Sequence, residues 1–286
     1  MMKNSFAQLL SAFLLLGTGS VWADTIAFND PCLPGNGCSA YGSTGNPLYY
    51  GGNGDGTPPT EGADIVGFES DFDILSLTVA HSGDDMQVSI LTRFVEPDAP
   101  GPDDIIYGDL LLSTTGWKPY GAAPFDQDTA TTSLTNWNYV IGTHTQKLYQ
   151  IASNTFLDLS DTAPHGSDPA NFCSNQYVRL KNGKGTEVTT ANVTIDPFVQ
   201  LPDVTGGPSP VLGALLTYNF KLSDLDFPNL NEGGTQLTLR WAMTCANDIV
   251  EAQVDTVPEP ESLSLFVGGL YALLRARHSG KTRKKA

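Results

Sequence analysis

Between Leu75 and Ile90 apolar and polar side chains alternate twice, and that period of two leaves little choice of fold. Leu75, Leu77 and Val79 are spaced by Ser76 and Thr78, and Met86, Val88 and Ile90 by Gln87 and Ser89. The two runs are joined by Ser82-Gly83-Asp84-Asp85. A helix would scatter these side chains around its axis, whereas neighbouring extended strands gather them on one face. The pattern predicts an antiparallel hairpin with one half-buried face.

Further segments follow the same period. Leu216, Tyr218, Phe220 and Leu222 predict one face of a strand, as do Leu237, Leu239, Trp241, Met243 and Cys245. Strands are also predicted from Ile105 to Ser113, from Trp137 to Ile141 and from Ile249 to Val254. Residues 176–181 and 187–195 flank Asn182-Gly183-Lys184-Gly185, a hairpin signal. No repeat of fixed length is present, so the chain reads as all-β: one antiparallel sandwich, jelly-roll-like, across residues 63–256. Residues 24–62, rich in Gly, Asn and Pro and poor in periodicity, read as an irregular segment lying over that body.

Charge narrows the partners. The 286-residue chain carries 15 Lys and Arg against 31 Asp and Glu. Between residues 24 and 257 the disparity is larger, with eight basic side chains facing 29 acidic ones. Such a surface repels nucleic acid and anionic lipid. Four cysteines, Cys32, Cys38, Cys173 and Cys245, lie in the same region and are expected to form two disulfides in an oxidising compartment. Four cysteines allow three pairings, of which Cys32 with Cys38 and Cys173 with Cys245 is the one favoured here. No zinc-finger spacing of Cys and His is present, and no metal or other cofactor is expected.

The two ends carry transport signals. Lys3, an apolar stretch over residues 6–16 and the small-residue end Val21-Trp22-Ala23 read as a signal peptide, residues 1–23, cleaved after Ala23. Residues 257–286 open with Val257, Pro258, Glu259 and Pro260, where two prolines make a stiff hinge. A short apolar run follows, carried by Leu263, Leu265, Phe266, Val267, Leu270, Leu273 and Leu274, and then a basic tail of Arg275, Arg277, Lys281, Arg283, Lys284 and Lys285. As a helix the run would measure roughly 18 Å, against about 30 Å of hydrocarbon. These three parts, in this order, resemble the PEP-CTERM sorting signal, which exosortase-type enzymes recognise in envelope proteins of bacteria that make extracellular polysaccharide. Asp71-Phe72-Asp73-Ile74, the stretch from Ile105 to Gly121 and the stretch from Trp241 to Asp248 also resemble the ectodomain of a PEP-CTERM group of undetermined activity.

The resemblance implies an exosortase-type partner, transient membrane insertion through the tail, and passage through the periplasm and inner membrane to the cell surface or medium. No catalytic residue is expected: His81, His144 and His165 are in no HExxH motif, and neither a GxSxG elbow nor a phosphate-binding glycine loop is present. The expected function is therefore a structural or adhesive role at the surface or in the extracellular matrix. The alternative is a carbohydrate-binding module acting on exopolysaccharide, with Trp117 and Tyr120 as a candidate glycan platform; a secreted glycan hydrolase ranks below it. Intact-mass measurement on protein recovered from its own cells is expected to find a species running from Asp24 to near Pro260. A membrane-bound species that keeps Arg275 to Ala286 would remove the sorting assignment.

Overall fold

The alternation over residues 74–92 becomes strands β3 (Ile74–Ser82) and β4 (Asp85–Thr92), paired antiparallel around Gly83, whose φ of 60° is one that only glycine adopts at no steric cost. The computed structural model describes residues 24–29, 48–50, 73–98, 105–121, 128, 130–159, 176–201, 212–227, 236–244 and 249–255. Met86, Val88 and Ile90 point inward, as their spacing predicts. At the start of β3 the expectation shifts by one residue. An irregularity between Ile74 and Ser76 turns Ile74 into the core and leaves Leu75 half-buried.

Two antiparallel sheets are built around this hairpin. The first places β3 and β4 between β1 (Asp24–Asn29) on one side and β12 (Leu212–Lys221) with β11 (Asn192–Gln200) on the other. The second has seven strands, in the order β10 (Thr186–Thr190), β7 (Lys147–Gln150), β6 (Tyr139–Gly142), β5 (Leu110–Ser113), β13 (Gln236–Ala242), β14 (Ile249–Asp255) and β2 (Leu48–Tyr50). One hydrophobic core lies between them: Leu77, Val88, Leu216 and Tyr218 from the first sheet meet Leu112, Ile141, Leu239 and Trp241 from the second. The fold is all-β and sandwich-like. Among the described residues helix is confined to two short 3-10 turns, and none is long and apolar enough to cross a membrane.

The seven-stranded sheet is also covered on its outer face. All four residues of β5 and all four of β6 are buried. A ribbon of β8 (Leu157–Leu159) and β9 (Tyr177–Leu180) accounts for part of this cover. Leu111, Trp137, Val140, Ile151 and Leu157 form a second apolar cluster, with Tyr177 and Leu180 packed against it. Burial on both sides explains why β5 and β6 read as continuous apolar runs.

Three sequence expectations change. The glycine-rich turn at 182–185 exists, with Gly183 and Gly185 at positive φ, but it joins no hairpin: β9 pairs with β8, whereas β10 pairs with β7. A turn signal specifies local geometry and says nothing about which strands become neighbours. The run expected as one strand over 187–195 is divided at Ala191, with β10 on an edge of the larger sheet and β11 on an edge of the smaller. Segment 24–62, read as irregular, supplies β1 and β2, both at sheet edges, where pairing through the backbone does not require an alternating pattern.

Gly108 sits where three elements converge. A Cβ there would stand 2.1 Å from the Ala242 carbonyl oxygen and 2.7 Å from that of Val178. Its own carbonyl accepts the Thr143 hydroxyl, and the Tyr218 hydroxyl lies 2.8 Å from the same Thr143 oxygen. Gly108→Ala is expected to cost about 1–3 kcal/mol by overpacking, because the obstructing atoms belong to backbone held on two sides. Urea denaturation measures it, and a loss below about 0.5 kcal/mol would mean the strands part easily here.

Candidate functional site

The outer face of the larger sheet contains an ionic cluster closed off from water. Arg240 and Glu251 are cross-strand neighbours on β13 and β14, with relative exposures of 3% and 1%. One Arg240 Nη donates to Glu251 Oε1, the other to Gln176 Oε1 at 2.7 Å, and Nε to the Tyr177 carbonyl at 3.2 Å. The second Glu251 oxygen accepts the Trp117 indole N–H at 2.5 Å. Gln176 in turn donates to the Asp128 carbonyl at 2.6 Å, and the Asp128 carboxylate accepts the Tyr120 backbone N–H at 2.7 Å. Burial, reinforced by the Glu251 charge, pushes the Asp128 carboxyl up to about 6. The cluster therefore fastens the 114–121 loop, Asp128 and the start of β9 onto the sheet.

Trp117 and Tyr120 have different environments within this cover. Trp117 is half-buried, packs against Val178, Ala242 and Ile249, and directs its indole N–H inward to Glu251. Tyr120 is 46% exposed. The 16 residues numbered 160–175, with Cys173 and His165, lie outside the described residues, as do Cys32, Cys38 and Cys245. The same holds for Ala23, for Val257 to Pro260, and for the apolar and basic parts of the tail.

The smaller sheet presents the opposite surface. Thr78, Ser89, Thr217 and Thr194 lie side by side on β3, β4, β12 and β11. The next row carries Gln87, Asn219 and Asn192. These side chains are half-buried or exposed, and none is charged. Gln87 donates to Asn219 at 3.0 Å, and the Ser89 and Thr217 hydroxyls stand 3.4 Å apart. With strands about 4.8 Å apart, these two rows form a lattice of neutral donors and acceptors, bordered by a row in which Ser76, Leu91, Leu215 and Asp196 stand side by side. Among the described residues the charges of this face are at its ends, in Asp196 on one side and the Lys221–Asp85 pair, 2.9 Å apart, on the other.

Clefts open beside both sheets. One, of about 570 Å³, lies where the 189–192 crossing meets the ends of β3, β4 and β12. Another, of about 320 Å³, lies by the 182–185 turn and has Asp109 in its wall. Burial pushes the Asp109 carboxyl up, while backbone N–H groups of Leu180 and Thr143 act in the other direction. Asp109 thus anchors main chain, and Asp103 and Asp104, adjacent in sequence, lie outside the described residues. Among the described residues no group of three or more His, Cys, Asp and Glu could hold a metal ion. His144 stands 3.4 Å from Glu96 on the turn after β6, and His81 lies on β3. Compared with protein-family models, curated proteins and solved structures, the chain matches none.

Because folding raises the Asp128 value from 3.8 to about 6, it favours the protonated form. The associated stability is complete below about pH 4 and is lost as pH rises through about 6. Asp128→Asn keeps an acceptor for Tyr120 without the charge. The variant is expected to match the parent at pH 4 and to exceed it at pH 8 by on the order of 2 kcal/mol. Thermal denaturation across that range checks this, and a difference independent of pH would contradict it.

Proposed function

We propose that the chain is an exported, non-enzymatic protein of the cell surface or extracellular matrix, with a structural or adhesive role in holding extracellular polysaccharide. The observation that carries this reading is the inequality of the two sheet faces. One is sealed by a loop, a ribbon and an ionic cluster; the other keeps neutral rows of Thr, Ser, Asn and Gln open. Hydroxyls and amides at strand spacing are matched to a hydroxylated polymer, which can exchange water for many weak hydrogen bonds at once. The signal peptide and the PEP-CTERM-like tail support delivery through the inner membrane by an exosortase-type enzyme. The jelly-roll-like connection of the strands and the two disulfides belong to the same proposal.

Tyr120, exposed on the loop, favours a second reading in which stacking on an aromatic carries the binding. Affinity electrophoresis of the full chain through polysaccharide from its own cells separates the two. Ser89→Arg with Thr217→Glu places complementary charges on opposed positions, so the pairing is kept while the neutral face is interrupted. This double variant is expected to lose retardation, and Tyr120→Ala to keep it. The reverse result would move the binding to the loop and establish the carbohydrate-module reading in its place.

A further inference from the structure

We propose that the 570 Å³ cleft at the 189–192 crossing is a binding site for a short non-anionic oligosaccharide, read by the side chain of Gln146. The inference rests on the polysaccharide reading above and specifies the saccharide chemistry. The size is that of a small-molecule site. Its walls combine the amides of Gln146 and Asn192 with hydroxyls of Thr189 and Thr190, and Phe220 adds apolar surface. Amides offer donor and acceptor together, as vicinal sugar hydroxyls do.

Gln146 supplies the second observation. Among the described residues it is the only one besides glycine with positive φ, at 54°, a region that non-glycine residues seldom enter. What the fold takes from this position is main chain. The Gln146 N–H donates to the Gly142 carbonyl at 2.8 Å, and its carbonyl accepts the Ala191 N–H at 3.0 Å, pinning the crossing strand. Glycine would keep both bonds without the steric conflict. The side chain is exposed on the cleft wall, and its amide has no hydrogen-bond partner among the described residues. A strained backbone that carries an uncommitted amide into a cleft is the pattern of a recognition residue.

Charge sets the class of sugar. Among the described residues Lys221 is the only cation in the lining, and it is already paired with Asp85 at 2.9 Å, with Asp84 3.9 Å away. Asp224, also in the lining, adds a further carboxylate. A uronate or sulfated unit would meet net negative charge with no cation to receive it, whereas neutral or amino sugars would not.

Calorimetric titration of the full chain with cellotriose, chitosan trimer and trigalacturonate tests this. Cellotriose and the chitosan trimer are expected to bind and trigalacturonate not to. Gln146→Gly is expected to raise or preserve the melting temperature while weakening binding about fivefold, the equivalent of one neutral hydrogen bond. Unchanged affinity in that variant, or trigalacturonate binding as tightly as cellotriose, would overturn the proposal. If no trimer binds the parent while the polymer is still retarded, the cleft site falls and the open-face reading stands. If the trimers bind but Ser89→Arg with Thr217→Glu leaves polymer retardation unchanged, the open-face reading falls and the cleft site stands.

Discussion

A guanidinium buried in the outer face of a sheet cannot be left without partners, and much of this architecture follows from satisfying Arg240. Removing such a charge from water costs several kcal/mol after relaxation. Here it is offset by Glu251 across the strand, by Gln176 and by the Tyr177 carbonyl. Each partner then constrains something further. Glu251 holds Trp117, Gln176 holds Asp128, and Asp128 holds the backbone of Tyr120. An ionic arrangement of this kind adds little net stability over well-packed apolar residues. Its contribution is to specify where the cover lies, since any displacement leaves a buried charge unpaired.

Sealing that face determines what the other can be. The two sheets share one core, so each has a single outer face, and one of these is occupied by β8, β9 and the 114–121 loop. The smaller sheet keeps its outer face for solvent, with a polar residue at each inner position of its central rows except Ala80. Its edge is protected as well. β11 carries Pro197 and an irregularity between Asp196 and Val199, two devices that discourage addition of a further strand. An open lattice of hydroxyls thus coexists with an edge unsuited to self-association through the backbone.

The sequence disclosed most plainly the strands that face water on one side. In β4 and β12 the inward residues alternate with others, and the structure buries Met86, Val88, Leu216 and Tyr218 as that spacing predicts; Leu239 and Trp241 of β13 are buried as predicted too, although that strand is covered on both faces. The ionic cluster was not legible in the same way. Arg240 lies between Leu239 and Trp241 at an outward position, where period-two reasoning assigns a solvated residue; only the ribbon above makes it buried. The available signal was a lone charge in a strand of otherwise apolar or small side chains, facing Glu251 on the next strand, and using it required the register of β13 against β14. The same limit applies to 182–185, where the turn was readable and its partners were not. β1 and β2 lacked a signal altogether, because edge strands are held by backbone bonds that any residue except proline makes.

Under the proposed function, the placement of the few cations bears on selectivity beyond any single site. Arg93 is spent on buried Asp73 and Arg240 on buried Glu251. Lys147, Arg179 and Lys221 lie against Glu187, Asp158 and Asp85 at the surface. The Lys184 ammonium stands 5.7 Å from the centre of the Phe156 ring, and Lys181 donates to the Thr155 carbonyl. With eight basic side chains against 29 acidic ones between residues 24 and 257, the net charge of this region is strongly negative. At physiological salt that field extends about 8 Å, enough to act on a polymer lying along the smaller sheet although the face itself is neutral. An anionic polysaccharide would be repelled before its hydroxyls met those of Thr78, Ser89, Thr217 and Thr194, and a neutral one would not. Under the proposed function, discrimination between the two would be a property of the whole surface, with the rows of the open face supplying the grip.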